Sequence, residues 1–229
     1  MRSCGSRPFS TLFLFALLAL LPPILGAQVT PPVDYLGFRP GADFHLMTYE
    51  EAVGYFERLA GETDRMVVLD MGETSAGRRM KYGVISSAEN LRDLDRYKAI
   101  NRRISLPGDL GEEEARRLAQ EGRAIVWIDG GLHGTEVAPA QLLPRLAYDL
   151  VTGEDEQTRA IRENVIALLV FANPDGMTIV SDWYMGNVST PYEVSPIPWL
   201  YHVYVGHDNN RDSFMGNLVE TRNMNRAHS

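Results

Sequence analysis

At 229 residues, 45% of them hydrophobic, the chain is long enough to bury one sizeable core. A formal net charge of −8 without any basic cluster argues against a nucleic-acid surface. The single cysteine, Cys4, precedes an apolar N-terminal run, so a processed chain has neither a disulfide framework nor a thiol nucleophile.

In chain order, Arg2 and Arg7 give a positive start and residues 11–21 an apolar core, broken by Pro22 and Pro23. Leu25-Gly26-Ala27 offers a small-residue cleavage site, so residues 1–27 read as a signal peptide and the protein as secreted or periplasmic. The alternative is a membrane anchor, but the apolar run is shorter than the ~20 residues a spanning helix needs. No stable anchor is therefore expected after cleavage. Residues 28–47 contain Pro and Gly without periodicity and read as an extended lead-in. Thr48 with Glu51 forms a candidate capping box. Val53, Phe56, Leu59 and Ala60 then share one helical face.

Residues 66–71 and 80–86 read as two strands of a hairpin around the turn Gly72-Glu-Thr-Ser-Ala-Gly77. Residues 91–104 are helical in pattern, and 111–120, rich in Glu and Arg, read as a solvated surface helix. The uniform apolar run 124–128 predicts a buried strand, stopped by Asp129, Gly130 and Gly131. Val137, Ala140, Leu143, Ala147, Leu150 and Val151 recur at helical spacing, with a kink or restart expected at Pro144. A short polar helix over 155–163 precedes a second buried strand in 164–171, which ends in the turn signal Asn173-Pro-Asp-Gly176. Residues 177–206 hold Trp183, Trp199, several tyrosines and three prolines but no Lys or Arg. They read as a long aromatic loop, either a functional wall or a loop packed by its own aromatics. Residues 223–229 show neither a cap nor a closing element. The alternation of strand and helix signals predicts an α/β domain, with a mostly parallel or mixed sheet and helices on both faces.

His133 and Glu136 follow the strand of residues 124–128 at once. Strand ends of open α/β sheets are where ligands bind, and both side chains are good zinc ligands. The spacing alone also fits a loop histidine beside a helix-starting glutamate that favours the helix dipole. Downstream, Asp208-Asn-Asn-Arg211 is followed by an acidic residue and an aromatic. Arg presents a planar fork suited to a carboxylate, and Asn adds a donor. A plain ion pair of Arg211 with Asp208 or Asp212 is the alternative.

Three segments in this order, Gly131-Leu-His-Gly-Thr-Glu136, Asn173-Pro-Asp-Gly176 and Asp208-Asn-Asn-Arg211, together resemble the zinc carboxypeptidase family. The stretch Gly72-Glu-Thr-Ser-Ala-Gly-Arg78 resembles that family's early hairpin, and the resemblance spans roughly residues 48–215. It implies that His133 and Glu136 are the first two zinc ligands. It implies that Asn210 and Arg211 hold the free C-terminal carboxylate of a peptide or peptide-like substrate. Zinc would polarise the scissile carbonyl and activate water.

The chain also departs from the family pattern. No cation occurs between 177 and 210 where an oxyanion-stabilising Arg is usual, and His202, His207 and His228 are unconvincing as the third ligand. The general-base Glu and gating Tyr lie later in the family, so no catalytic residue is assigned within this chain. Residues 48–229 are therefore expected to be a carboxypeptidase-like domain truncated at its C-terminal side, weakly active or inactive. Two other functions fit the same residues: a non-catalytic module binding peptide C-termini, or a zinc deacylase acting on N-acyl amino acids.

Overall fold

The computed structural model describes residues 29–206 and 209–228; the N-terminal signal reading, Cys4, His207 and Asp208 lie outside them. Four strands form one mixed sheet: β1 (Met66–Glu73), β2 (Arg79–Ile85), β3 (Ala124–Gly130) and β4 (Val165–Phe171), in the order β1-β2-β4-β3. β1 and β2 are the expected antiparallel hairpin, with a bulge between Asp70 and Gly72. β2 pairs antiparallel with β4, and β3 pairs parallel with β4 from Ala124↔Val165 to Gly130↔Phe171.

Side chains of a strand alternate between faces, and β4 shows how that builds two cores. Leu169 and Phe171 join one cluster with Phe56, Leu59, Leu143, Ala147 and Val151. Those partners come from α2 (Tyr49–Glu62) and α6 (Val137–Thr152). Ile166, Leu168 and Val170 join the other with Tyr97, Ile100 and Leu118, from α4 (Leu94–Ser105) and α5 (Glu112–Glu121). Helices thus cover both faces of the sheet. Each fully buried apolar side chain contributes roughly 1.5–3 kcal/mol.

The capping box at Thr48 is present: its side chain accepts from Glu51 N–H, and the Glu51 carboxylate accepts from Thr48 N–H. α5 is exposed on its outer face, and α7 (Glu156–Asn164) forms the polar helix ahead of β4.

Several expectations are corrected. The lead-in is not wholly extended, because α1 (Pro32–Leu36) forms within it and Thr30 hydrogen-bonds the Glu62 carboxylate of α2. The helix of residues 91–104 is two, α3 (Ala88–Arg92) and α4, separated at Asp93. β3 is a strand, but Ile125 and Val126 are each 40% exposed, because β3 lies at the sheet edge among the described residues. Pro144 lies inside one uninterrupted α6; the buried face formed by Ala140, Leu143, Ala147 and Val151 outweighs its missing N–H.

Asn173-Pro-Asp-Gly176 does not form a free turn. Asn173 Oδ1 accepts from Gly176 N–H at 2.9 Å and Pro174 is the first residue of α8 (Pro174–Asn187). Residues 177–187 are therefore helical rather than looped. Finally, α9 (Val219–His228) closes the described chain. None of the described helices is long and apolar enough to cross a membrane.

Candidate metal and substrate site

The site begins where β3 ends. Gly131 turns the backbone with φ +72, a conformation that glycine adopts without a Cβ penalty. Gly134 then lies against the first turn of α8, where a Cβ would come within 2.9 Å of the Gly176 carbonyl carbon and oxygen. The loop carrying His133 therefore sits directly on the helix that Asn173 starts. Glu136 N–H donates to His133 O at 3.0 Å, closing a turn, and Glu136 is the residue before α6.

This turn brings the two candidate ligands together. His133 Nδ1 lies 3.2 Å from Glu136 Oε2; the histidine side chain is 17% exposed and the glutamate 63%. On the other side of the ring, His133 Nε2 lies 3.2 Å from Asn210 Oδ1. With the amide oxygen accepting, Nε2 carries the proton and the Nδ1 lone pair faces the carboxylate. A lone pair and a carboxylate oxygen at that distance repel unless a cation or proton is shared between them. Donor atoms on a tetrahedral zinc ion stand roughly 3.3–3.6 Å apart given its usual bond lengths, close to the separation seen. The pair therefore fits two positions of a zinc shell. Among the described residues, no group of three or more His, Cys, Asp and Glu side chains is placed to hold a metal ion.

Of the other sequence-predicted residues, Asn210 reaches His133 from 77 residues away, carried by a 3₁₀ turn (Asn209–Asp212). Arg211 follows it in the same turn and is exposed. Asp212, one of the two alternative partners, is buried and accepts from the N–H groups of Asn217 and Leu218, at 2.9 and 2.7 Å. Burial pushes the Asp212 carboxyl up, but these donors and Thr221 outweigh it and hold the group below the usual range.

Two histidines outside the loop, His202 and His228, make structural contacts. His202 is buried; its Nδ1 accepts from Tyr204 N–H at 3.2 Å, and its Nε2 lies 3.0 Å from Glu220 Oε2. Burial pushes the Glu220 carboxyl up, yet hydrogen bonds from Ser75 N–H, His202 and the Ser75 hydroxyl bring it below its ordinary value. His228 lies against Trp127, ring centroids 5.6 Å apart.

The early hairpin is anchored by a second polar cluster that sequence reading did not find. Asp175 accepts from Thr74 Oγ1 at 3.0 Å, Ala76 N–H at 3.2 Å and Arg78 Nη1 at 2.8 Å. Arg78 also donates to Glu50 at 2.6 Å, and Asn223 donates to Glu73 O at 2.8 Å. The signal was present in Asn173-Pro-Asp-Gly176: Asn as a helix cap frees Asp175 to point back at the hairpin.

A family model described as zinc carboxypeptidase matches residues 53–227. Among solved structures, the fold is similar to a metallo-carboxypeptidase from Burkholderia cenocepacia, at 16% identity and a TM-score of 0.49, covering 80% of this chain and 38% of that one. It is similar also to carboxypeptidase A from Helicoverpa armigera, at 22% identity and a TM-score of 0.41, covering 58% of this chain and 26% of that one. The chain spans well under half the length of these two structures. No curated protein matches it.

Proposed function

Because the chain belongs to the zinc carboxypeptidase family, we propose that residues 48–229 are part of a catalytic domain that removes C-terminal residues from peptides, with His133 and Glu136 as zinc ligands. The observation that carries this reading is the convergence of His133 Nδ1 and Glu136 Oε2 at 3.2 Å, with Asn210 fixing the tautomer from the far side of the ring. A zinc ion held there supplies Lewis acidity toward the scissile carbonyl and acidifies a water molecule.

The chain's own residues do the positioning. Asn210, its Oδ1 committed to His133, keeps an NH2 group that can donate to a substrate oxygen beside the metal loop. Arg211, next in the turn, is the carboxylate anchor. It selects a free C-terminus because its fork pairs two oxygens that an amide does not offer. Catalytic zinc generally rests on three protein ligands and a water, and this loop supplies two. Zinc affinity of the expressed chain is therefore expected to be modest and turnover low.

Calorimetric zinc titration of the mature protein, alongside His133→Ala and Glu136→Ala, tests the reading. Zinc binding abolished by either substitution supports it, and binding indifferent to both overturns it. Sub-micromolar affinity with brisk release of C-terminal residues would overturn the low-activity part alone. Release from acyl amino acids but not peptides would make the protein a deacylase, and zinc-independent capture of free C-termini a binding module.

Export belongs to the same proposal, supported by Arg2, Arg7 and the apolar run 11–21. Mass spectrometry of the exported protein should find a start near Gln28; an intact Met1 in a cytosolic pool would count against it.

A further inference from the structure

β3 presents an open strand edge. Among the described residues it pairs with β4 on one side, and no strand lies beyond it. Ile125 and Val126 point to opposite faces of the sheet, and each is 40% exposed, so the edge is accessible from both faces. Such an edge offers unpaired N–H and C=O groups to another strand.

The two edges of the sheet are not alike. β1, at the far edge, carries Asp70 and Glu73 and is interrupted by the bulge between Asp70 and Gly72. Charges and bulges are the usual protection against edge pairing. β3 has neither over residues 124–128: the run is Ala-Ile-Val-Trp-Ile, and its register with β4 is unbroken.

The ends of this run indicate which strand it fits. Arg123 precedes it and Asp129 follows it. Among the described residues neither forms an ion pair. Arg123 donates to Asn90 Oδ1 and Glu163 O and lies over the Tyr97 ring, and Asp129 accepts from Trp127 Nε1 at 3.1 Å. Odd-numbered positions share one face: Trp127 packs with the cluster built on α4 and α5, and Ile128 with the one built on α2 and α6. Laid antiparallel to its own copy about a two-fold axis at Val126, the strand complements itself. Val126 meets its mate, Ile125 faces the partner's Trp127, Ala124 faces the partner's Ile128, and Arg123 faces the partner's Asp129 at both ends. Aromatic with β-branched and opposite-charge pairs across strands stabilise an antiparallel ladder. Sliding the copies by two positions sets Arg123 against Trp127, or Ile125 against Asp129, and loses both charge pairs.

We propose that β3 pairs antiparallel with β3 of a second copy of this chain, joining two sheets into one across a two-fold axis at Val126. The contact spends the same edge of each copy and closes on itself, so it makes dimers and not fibres. A single strand edge is a small interface, so the dimer is weak and its population depends on concentration. The proposal uses nothing of the metal site and stands apart from the carboxypeptidase reading.

The test uses the expressed protein with Cys4→Ser, so that an introduced cysteine is the only thiol. In sedimentation equilibrium, the average mass should rise with concentration from one chain towards two and no further. Val126→Lys sets like charges against each other at the axis and should abolish the rise, with Tm little changed because the position is a half-open edge. Asp129→Asn removes both charge pairs and should weaken the dimer roughly 2- to 30-fold, the scale of two such pairs. Under mild oxidation Val126→Cys should cross-link two copies, since directly opposed Cα atoms lie about 4.5–5.5 Å apart, within disulfide reach. Ala124→Cys should not, because the register holds its two copies roughly 13 Å apart along the strands. Equal cross-linking of the two cysteine variants, growth beyond a dimer, or a dimer that Val126→Lys leaves intact overturns the proposal. A monomer at every concentration overturns it as well.

Discussion

The polar cluster under the β1–β2 hairpin and the polar cluster on the His133 loop are built from the same residue types and behave oppositely. Around the hairpin, every charge meets a donor or counter-charge: Asp175 takes three hydrogen bonds, Arg78 bridges Asp175 and Glu50, and Glu220 lies between Ser75 N–H and His202. Asp175, Glu220 and His202 are buried. On the His133 loop, by contrast, an imidazole nitrogen lies 3.2 Å from the oxygen of a carboxylate that is 63% exposed. The first arrangement is complete without a ligand and holds elements together. The second becomes favourable when a cation is shared. On the proposed function, polar residues in one small domain divide into those that stabilise and those that serve chemistry, and substitution separates the two.

The largest effect is expected at Glu220. Its removal leaves the part-buried Ser75 N–H and the buried His202 Nε2 without their acceptor, and each donor left unsatisfied costs about 1–3 kcal/mol. In urea denaturation, Glu220→Ala should lower stability by that order without changing zinc affinity per folded molecule. A stable Glu220→Ala that loses zinc would place Glu220 in the chemical cluster instead.

Asn210→Ala is expected to do the reverse. Residues that orient a metal-bound histidine are worth roughly 10–100-fold in metal affinity when removed. Zinc titration should show a loss of that size, with Tm little changed because Asn210 is only half-buried. Unchanged zinc affinity would mean that the contact with His133 Nε2 does not orient the ring.

Arg211→Ala should cost on the order of 1.5–3 kcal/mol in binding a peptide with a free C-terminus, the scale of a charged hydrogen bond. A C-terminally amidated peptide should bind wild type and variant alike. Early melting together with normal binding of the free peptide would make Arg211 a structural ion pair.

The same division explains what the sequence made legible. Where a buried face is apolar, periodicity finds the element: Val53, Phe56 and Leu59 mark α2, and Leu143, Ala147 and Val151 mark α6. The buried positions of α9 include Glu220, Thr221 and Asn223, so polar side chains interrupt the inward face on which Met224 and Ala227 pack against the core, and its periodicity is weak. α8 begins at a motif that reads equally as a turn, and Thr178-Ile-Val180 and two glycines weaken its helical signal. His133 and Glu136 were legible because the glycines and the strand end fix them within one turn. Asn210 beside His133 came only through the family resemblance, since contacts across 77 residues leave no local pattern. The pairing of His202 with Glu220 leaves none either, because 18 positions separate the two.

The smallest expected effect is in the acid limb of stability, and it isolates one member of the hairpin cluster. The folded-state pKa of Glu220 lies below its ordinary value: burial opposes ionisation, but the Ser75 and His202 hydrogen bonds outweigh it. A carboxyl whose pKa is lower folded than unfolded binds fewer protons in the native state, so stability rises with pH across its titration. That contribution is present above the unfolded glutamate pKa, about 4.3, and is lost as pH falls through the lower folded value. Asp212 and Glu50 are depressed in the same direction and contribute to the same limb. Comparing wild type with Glu220→Gln removes those shared terms, since both proteins keep Asp212 and Glu50. The amide oxygen still accepts from Ser75 N–H, so the variant should fold. Denaturation measured from pH 6 to pH 3 should show wild type losing stability more steeply, with the gap between the two narrowing as Glu220 becomes protonated. A gap that stays constant over the whole range would mean that Glu220 is not held ionised by its partners, and that the hairpin cluster is fixed by geometry rather than charge.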